Sequence, residues 1–140
     1  MTQTLAYYAT VFYKRFAAYT ARRLQELGLT FGSLFLVLYV GRHPDCTQAE
    51  LTEALGLDWG YSQRSITRLV EEGFLLREKS GRAYHLALSP RGQEAFAVSH
   101  QVFHDWDREN LQALTPEEQA QLLGLLEKTK RKGQAECTKF

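Results

Sequence analysis

Long apolar runs are missing from this sequence. The longest, "LFLVLYV" at residues 34–40, is far too short to cross a bilayer, so a membrane protein is not expected and no membrane partner is foreseen. Cysteine is scarce as well. Cys46 and Cys137 stand alone without metal-like spacing, and in a reducing compartment two such thiols are normally unpaired. The opening "MTQTLAYYATVFYKRF" has no basic stretch followed by an apolar core and a small-residue cleavage site, so no signal peptide is read and a cytoplasmic location is expected. No nucleophile–base–carboxylate set, phosphate-cradling loop or paired-carboxylate pattern stands out, which argues against an enzyme, and no cofactor is expected. Internal repeats and low-complexity segments are absent. Neither sign of charge dominates, with 17 Lys and Arg against 16 Asp and Glu.

What is present is a chain of 140 residues, 44% hydrophobic and 12% aromatic, enough for one domain with a core or one subunit of an intertwined oligomer. In residues 4–27 apolar side chains recur as Leu5, Tyr8, Phe12, Phe16 and Tyr19, which predicts a long, aromatic-faced helix ended by Gly28. Residues 30–42 are apolar nearly all round and predict a buried core helix. His43, Pro44 and Asp45 break it. Thr47, with Glu50 three places on, has the capping-box pattern of a short helix whose buried side is Leu51, Ala54 and Leu55; Gly56 ends it and Asp58 caps the next.

That next helix carries two arginines four apart. At about 100° per residue, Ser62, Ile66, Leu69 and Val70 fall on an inward side, while Gly60, Tyr61, Arg64, Thr67, Arg68 and Glu71 collect on the other with Gln63 at its edge. After Gly73, "FLLREKSGRAYHLALS" predicts two short strands around a Ser80–Gly81 turn, with Tyr84, Leu86 and Leu88 facing inward and Arg82 at the tip. Ser89 and Pro90 open a long helix expected to run to about Leu114, with Phe96, Val102, Phe103 and Trp106 on its apolar stripe. Thr115, Pro116 and Glu118 start a last helix rich in leucine: Leu122, Leu123, Leu125 and Leu126. "KTKRK" at residues 128–132 suits the carbonyl end of that helix.

Core helix, short helix, tight turn, polar-faced helix and basic-tipped hairpin, in that order, describe a winged helix-turn-helix. The fold class expected is mainly α (α+β), with a winged lobe at residues 30–89 flanked by dimerisation helices at 1–28 and 90–140. The charge pattern agrees, because residues 60–92 hold Arg64, Arg68, Arg77, Lys79, Arg82 and Arg91 against Glu71, Glu72 and Glu78. Arginine is shaped for forked contact with guanine or phosphate. The expected DNA-binding residues are therefore Arg64 and Arg68, with Thr67, Gln63, Tyr61, Thr47 and Gln48 beside them and Arg82 reaching the minor groove. Two arginines at this spacing are also a common solvated helix face; the surrounding order of elements is what favours nucleic acid.

The same stretch, "TQAELTEALGLDWGYSQRSITRLVEEGFLLREKSGRAYHLALSPRGQEAF", resembles the DNA-binding lobe of the MarR family of bacterial transcription regulators, and the flanking helices match it too. The most telling motifs are "TRLVEEGFLLRE" and "RAYHLALSPRG". The resemblance implies a ligand-responsive regulator, by family default a repressor, bound as a homodimer to double-stranded DNA at a pseudo-palindromic site. It also implies a small aromatic or phenolic effector, for which Tyr8, Phe12, Phe16, Tyr39 and His43 are the candidate pocket; such an aromatic stripe is otherwise core. The wing departs from the family pattern, with Ser80 at the aspartate position of its Asp-x-Arg motif and several residues missing, which leaves the depth of minor-groove contact open.

Other signals stay open. His100 and His104 lie four apart next to Asp105, a spacing that holds a metal when a third ligand joins them; surface or interface histidines are the default. Cys46, before the Thr47 cap, is a candidate oxidation sensor, opposed by the charge of Asp45. The rival function from another class is a winged-helix module that binds protein through the same face.

Overall fold

Polar caps delimit the helices. Thr4, Thr30, Thr47, Asp58, Ser89 and Thr115 each accept a hydrogen bond from a backbone amide in the first turn, satisfying one of the amides that a helix start leaves unpaired. The structure, a computed structural model, describes residues 3–130. It runs α1 (Leu5–Gln25), α2 (Phe31–Arg42), β1 (Cys46–Thr47), α3 (Gln48–Ala54), α4 (Trp59–Glu71), β2 (Leu75–Ser80), β3 (Ala83–Leu88), α5 (Pro90–Asn110) and α6 (Pro116–Thr129). Arg131, Lys132 and Cys137 lie outside the described residues.

The antiparallel sheet has the order β1-β3-β2. Two residues of β1 are too few to leave a sequence pattern, yet Cys46 pairs with Leu86 and Thr47 with His85, tying the start of α3 to the hairpin. The reciprocal capping box expected at Thr47 forms only halfway, through the Glu50 amide; among the described residues the complete box is at Thr115. The hairpin turn is Gly81–Arg82 rather than Ser80–Gly81, since Ser80 pairs with Ala83. Gly81 has φ +63° and Arg82 does not share that sign, which suits the turn type that wants glycine at its first central position.

The core lies beneath α4. Leu34, Val37, Leu38 and Val40 of α2, Leu51 of α3, Ile66 and Leu69 of α4, Phe74, Leu75 and Leu86 around the hairpin, and Ala95 of α5 form one buried cluster, with Leu24 closing it from α1. Val70, expected inside, is half-buried. Helices α2 and α5 meet where Gly41 has no side chain: a Cβ there would stand 2.2 Å from Cδ2 of Phe96. Glycine is needed for that approach.

At the other end, α1 and α5 are joined by polar and aromatic contacts. The Asp105 carboxylate accepts from Gln101 Nε2 at 2.9 Å and pairs with Arg23 at 2.9 Å and Arg108 at 2.6 Å, which together hold its pKa down to about 2. Phe16 packs on Phe31, Phe103 and Trp106. Helix α5 stops at Asn110, short of the expected Leu114. The side-chain amide of Gln119 donates to the carbonyls of Leu111 and Leu114, so residues 111–114 form the turn into α6 instead of another helical turn.

Helix α6 buries none of its residues in the single chain. Leu122, Leu123, Leu125 and Leu126 stay 38% to 55% exposed, and Leu5, Tyr7, Tyr8, Phe12 and Tyr13 of α1 are exposed as well. No described helix is long and apolar enough to cross a membrane.

Candidate nucleic-acid interface

The capping carboxylate of Asp58 accepts from the Tyr61 amide at 3.1 Å and starts α4. Ser62, Ile66 and Leu69 then face inward, the Ser62 hydroxyl bonding that of Thr52 at 2.6 Å. A polar residue is thereby buried without loss, because its hydrogen bond is made. The inward set leaves Gln63, Arg64 and Arg68 exposed and Thr67 half-buried on one outer face.

The two arginines are held differently. Arg68 Nε lies 2.9 Å from Glu72, an exposed i,i+4 pair worth at most about 1 kcal/mol, so a phosphate or base edge can take the guanidinium at small cost. Arg64 lies back along the first turn, its Nη1 3.1 Å from where a Cβ on Gly60 would stand. The bare Cα of Gly60 makes that room.

Beside this face runs a basic strip on the hairpin. Arg77 donates to the Thr67 hydroxyl at 3.0 Å and lies over the ring of Tyr84 at 5.4 Å, with Lys79 over the same ring at 5.8 Å. Strand alternation explains the grouping: Lys79 is opposite Tyr84, and Arg77 is two residues along the same face. Tyr84 shares its face with Leu86 as expected, but the hairpin outruns the core there, so its exposed ring is covered by cations. Glu78 falls on the other face with His85. In the sequence Arg77 and Lys79 register only as local charge; their spacing of two residues along β2, opposite Leu86 and Tyr84, is the signal that groups them. Trp59 stands 51% exposed in the first turn of α4.

Not every expected residue joins this surface. Arg82 occupies the exposed hairpin turn, and the Thr47 hydroxyl is engaged as a cap. Gln48 is buried at 5% exposure, because β1 draws the start of α3 onto the sheet and Gln48 turns inward with Leu51 and Thr52. Tyr61 directs its phenol toward the start of α2, 3.0 Å from the position of a Cβ on Gly32. The five aromatic and histidine candidates for an effector pocket separate as well. Tyr8 stacks on Phe12 among exposed residues, Phe16 sits in the α1–α5 aromatic cluster, and a buried Tyr39 stacks on His43 at 4.2 Å.

His100 and His104 have ring centroids 4.9 Å apart and line, with Leu38, Arg42 and Phe103, a hollow of about 230 Å³. Among the described residues no three His, Cys, Asp or Glu side chains cluster as a metal site would. Burial in β1 pushes the Cys46 thiol up to about 11, with Glu50 and Asp45 adding to the rise, so the thiolate that oxidation chemistry needs is disfavoured.

Fold and surface together define a winged helix-turn-helix protein, the class that lays one helix in the DNA major groove. A model of the MarR family matches residues 19–83. The chain is 40% identical over 131 residues to the HTH-type transcriptional regulator BilQ of Clostridium symbiosum (strain WAL-14163), spanning 91% of both chains. It superposes on the reduced form of MarR from E. coli with a TM-score of 0.80 and 26% identity, over 94% of this chain and 99% of that one. A Listeria monocytogenes protein solved with a 26mer DNA shares the fold at a TM-score of 0.78 and 17% identity, over 91% and 87% of the two chains. The chain belongs to the MarR family: it is a DNA-binding transcriptional regulator and not an enzyme.

Proposed function

We propose that this regulator works as a homodimer on a pseudo-palindromic operator, represses by occluding polymerase, and is released by a small aromatic or phenolic effector. Gln63, Arg64, Thr67 and Arg68 read the major groove, Arg77 and Lys79 hold the flanking backbone, and Arg82 meets the minor groove. The observation that carries this reading is the continuity of the cationic surface from α4 onto the hairpin, bridged by the Arg77–Thr67 bond. Dimerisation is supported by the uncovered leucines of α6 and aromatic residues of α1, an apolar surface that a second copy would cover symmetrically. In this arrangement residues 1–28 and 90–140 supply the dimer and 30–89 the reading lobe, with recognition helices about one turn of DNA apart. For the effector, the hollow beside Arg42 and Phe103 offers an apolar wall with a cation, whereas the aromatic set read from the sequence is dispersed.

Fluorescence anisotropy against the DNA upstream of the protein's own gene, with a scrambled duplex alongside, tests the reading. Preference for the native duplex is expected, with affinity falling by roughly a thousandfold or more between about 50 and about 200 mM salt if six or more phosphates are neutralised. Binding to neither duplex by a dimeric sample would assign the winged face to a protein partner.

A further inference from the structure

Arg91, the second residue of α5, shares its guanidinium among three elements. Nη1 donates to the carbonyl of Glu72, the C-cap of α4, at 2.6 Å, and Nη2 reaches the carbonyl of Leu27, just past α1, at 3.4 Å. The guanidinium carbon lies 4.2 Å from the ring centroid of the buried Phe74. Both carbonyls precede a glycine in a left-handed turn, Gly73 at φ +88° and Gly28 at φ +77°, and Arg91 stands within 4 Å of the Cβ position of each. Helix C-termini expose unpaired carbonyls at the negative end of the dipole, and one cation here serves two of them. Among the described residues no carboxylate pairs with Arg91, so these carbonyls are its hydrogen-bond partners.

The contacts join parts with different jobs. Helix α4 carries the reading surface, while α1 and α5 carry the proposed dimer. We propose that Arg91 is a positioning residue that sets the angle of α4 on α1 and α5, and through it the separation of the two recognition helices on DNA. The proposal rests on the dimeric operator-binding reading above. The role needs no contact between Arg91 and DNA, since it is exerted through the two carbonyls that Nη1 and Nη2 hold.

The test uses an operator duplex that the full-length wild-type protein selects from a random pool, together with versions whose half-site spacing is changed by one or two base pairs. Arg91→Gln and Arg91→Lys are compared with wild type by anisotropy over a salt series, with sedimentation and circular dichroism as checks of assembly. Both variants are expected to be folded dimers that bind the selected duplex roughly tenfold more weakly, the scale of a charged hydrogen bond. The salt slope stays at the wild-type value, and the penalty for altered spacing shrinks. Amide exchange around residues 27–29 and 72–74 speeds up in the free protein. Should Arg91→Gln fail to fold, Arg91→Lys carries the comparison, since it keeps the charge and the aliphatic stem on Phe74. A folded variant with a wild-type spacing penalty overturns the proposal. A slope reduced by about one per protomer overturns it too, because that marks a phosphate contact. A wild type that selects no sequence instead overturns the operator reading, and the positioning role with it.

Discussion

Arg64 and Arg68 show how similar side chains four residues apart acquire different states. The Glu72 pair steadies Arg68, while Gly60 gives Arg64 space to lie along the helix. Replacing either with alanine is expected to cost about 1–3 kcal/mol of operator binding if it reads a base, with selectivity relaxed at one position. If it contacts phosphate, the loss is uniform across sequences and the salt slope flattens by about one. Anisotropy with selected and scrambled duplexes separates these outcomes, and unchanged affinity in both variants would remove α4 from the recognition role. The outward direction of both arginines was legible from helical periodicity, because Ile66 and Leu69 must go inward. The partner of Thr67 was not: Arg77 lies ten residues away, and their contact exists only once the hairpin folds back against α4.

Elements were legible in proportion to their length and their punctuation. Helix α2 is apolar on nearly every side, and it is buried on nearly every side. Caps announced the starts of α3, α4, α5 and α6. The two-residue strand β1 gave no periodicity to detect, and the end of α5 is decided by Gln119 in the following helix. Helix spacing is set by one atom's absence at Gly41. Gly41→Ala gains up to about 1 kcal/mol of helix propensity but drives a methyl into the Phe96 ring, an overpacking cost of about 1–3 kcal/mol. Net destabilisation is expected, seen as a lower urea midpoint with an unchanged slope. A midpoint at or above wild type would mean that α5 shifts freely and that the close approach is not a constraint.

For the molecule as a whole, the uncovered leucines of α6 are the surface that the proposed dimer would cover. Leu122→Asp with Leu126→Asp is expected to leave the winged lobe folded, since neither side chain contributes to its buried cluster, while shifting the protein to monomer in sedimentation. Operator affinity should fall with it, because two linked half-sites bind far more tightly than one. A dimer that survives both charges would place the subunit interface elsewhere. The amino-acid sequence alone determined the order and type of the long elements, the inward face of α4 and the family to which the chain belongs, because periodicity, caps and motifs are local properties of the chain. Tertiary structure alone decided that Gln48 is buried, that Arg77 and Lys79 flank Tyr84 beside α4, and that Arg91 joins the ends of α1 and α4. Those relations depend on residues far apart in the chain meeting across packed elements, and no local pattern encodes which carbonyl a distant guanidinium will find.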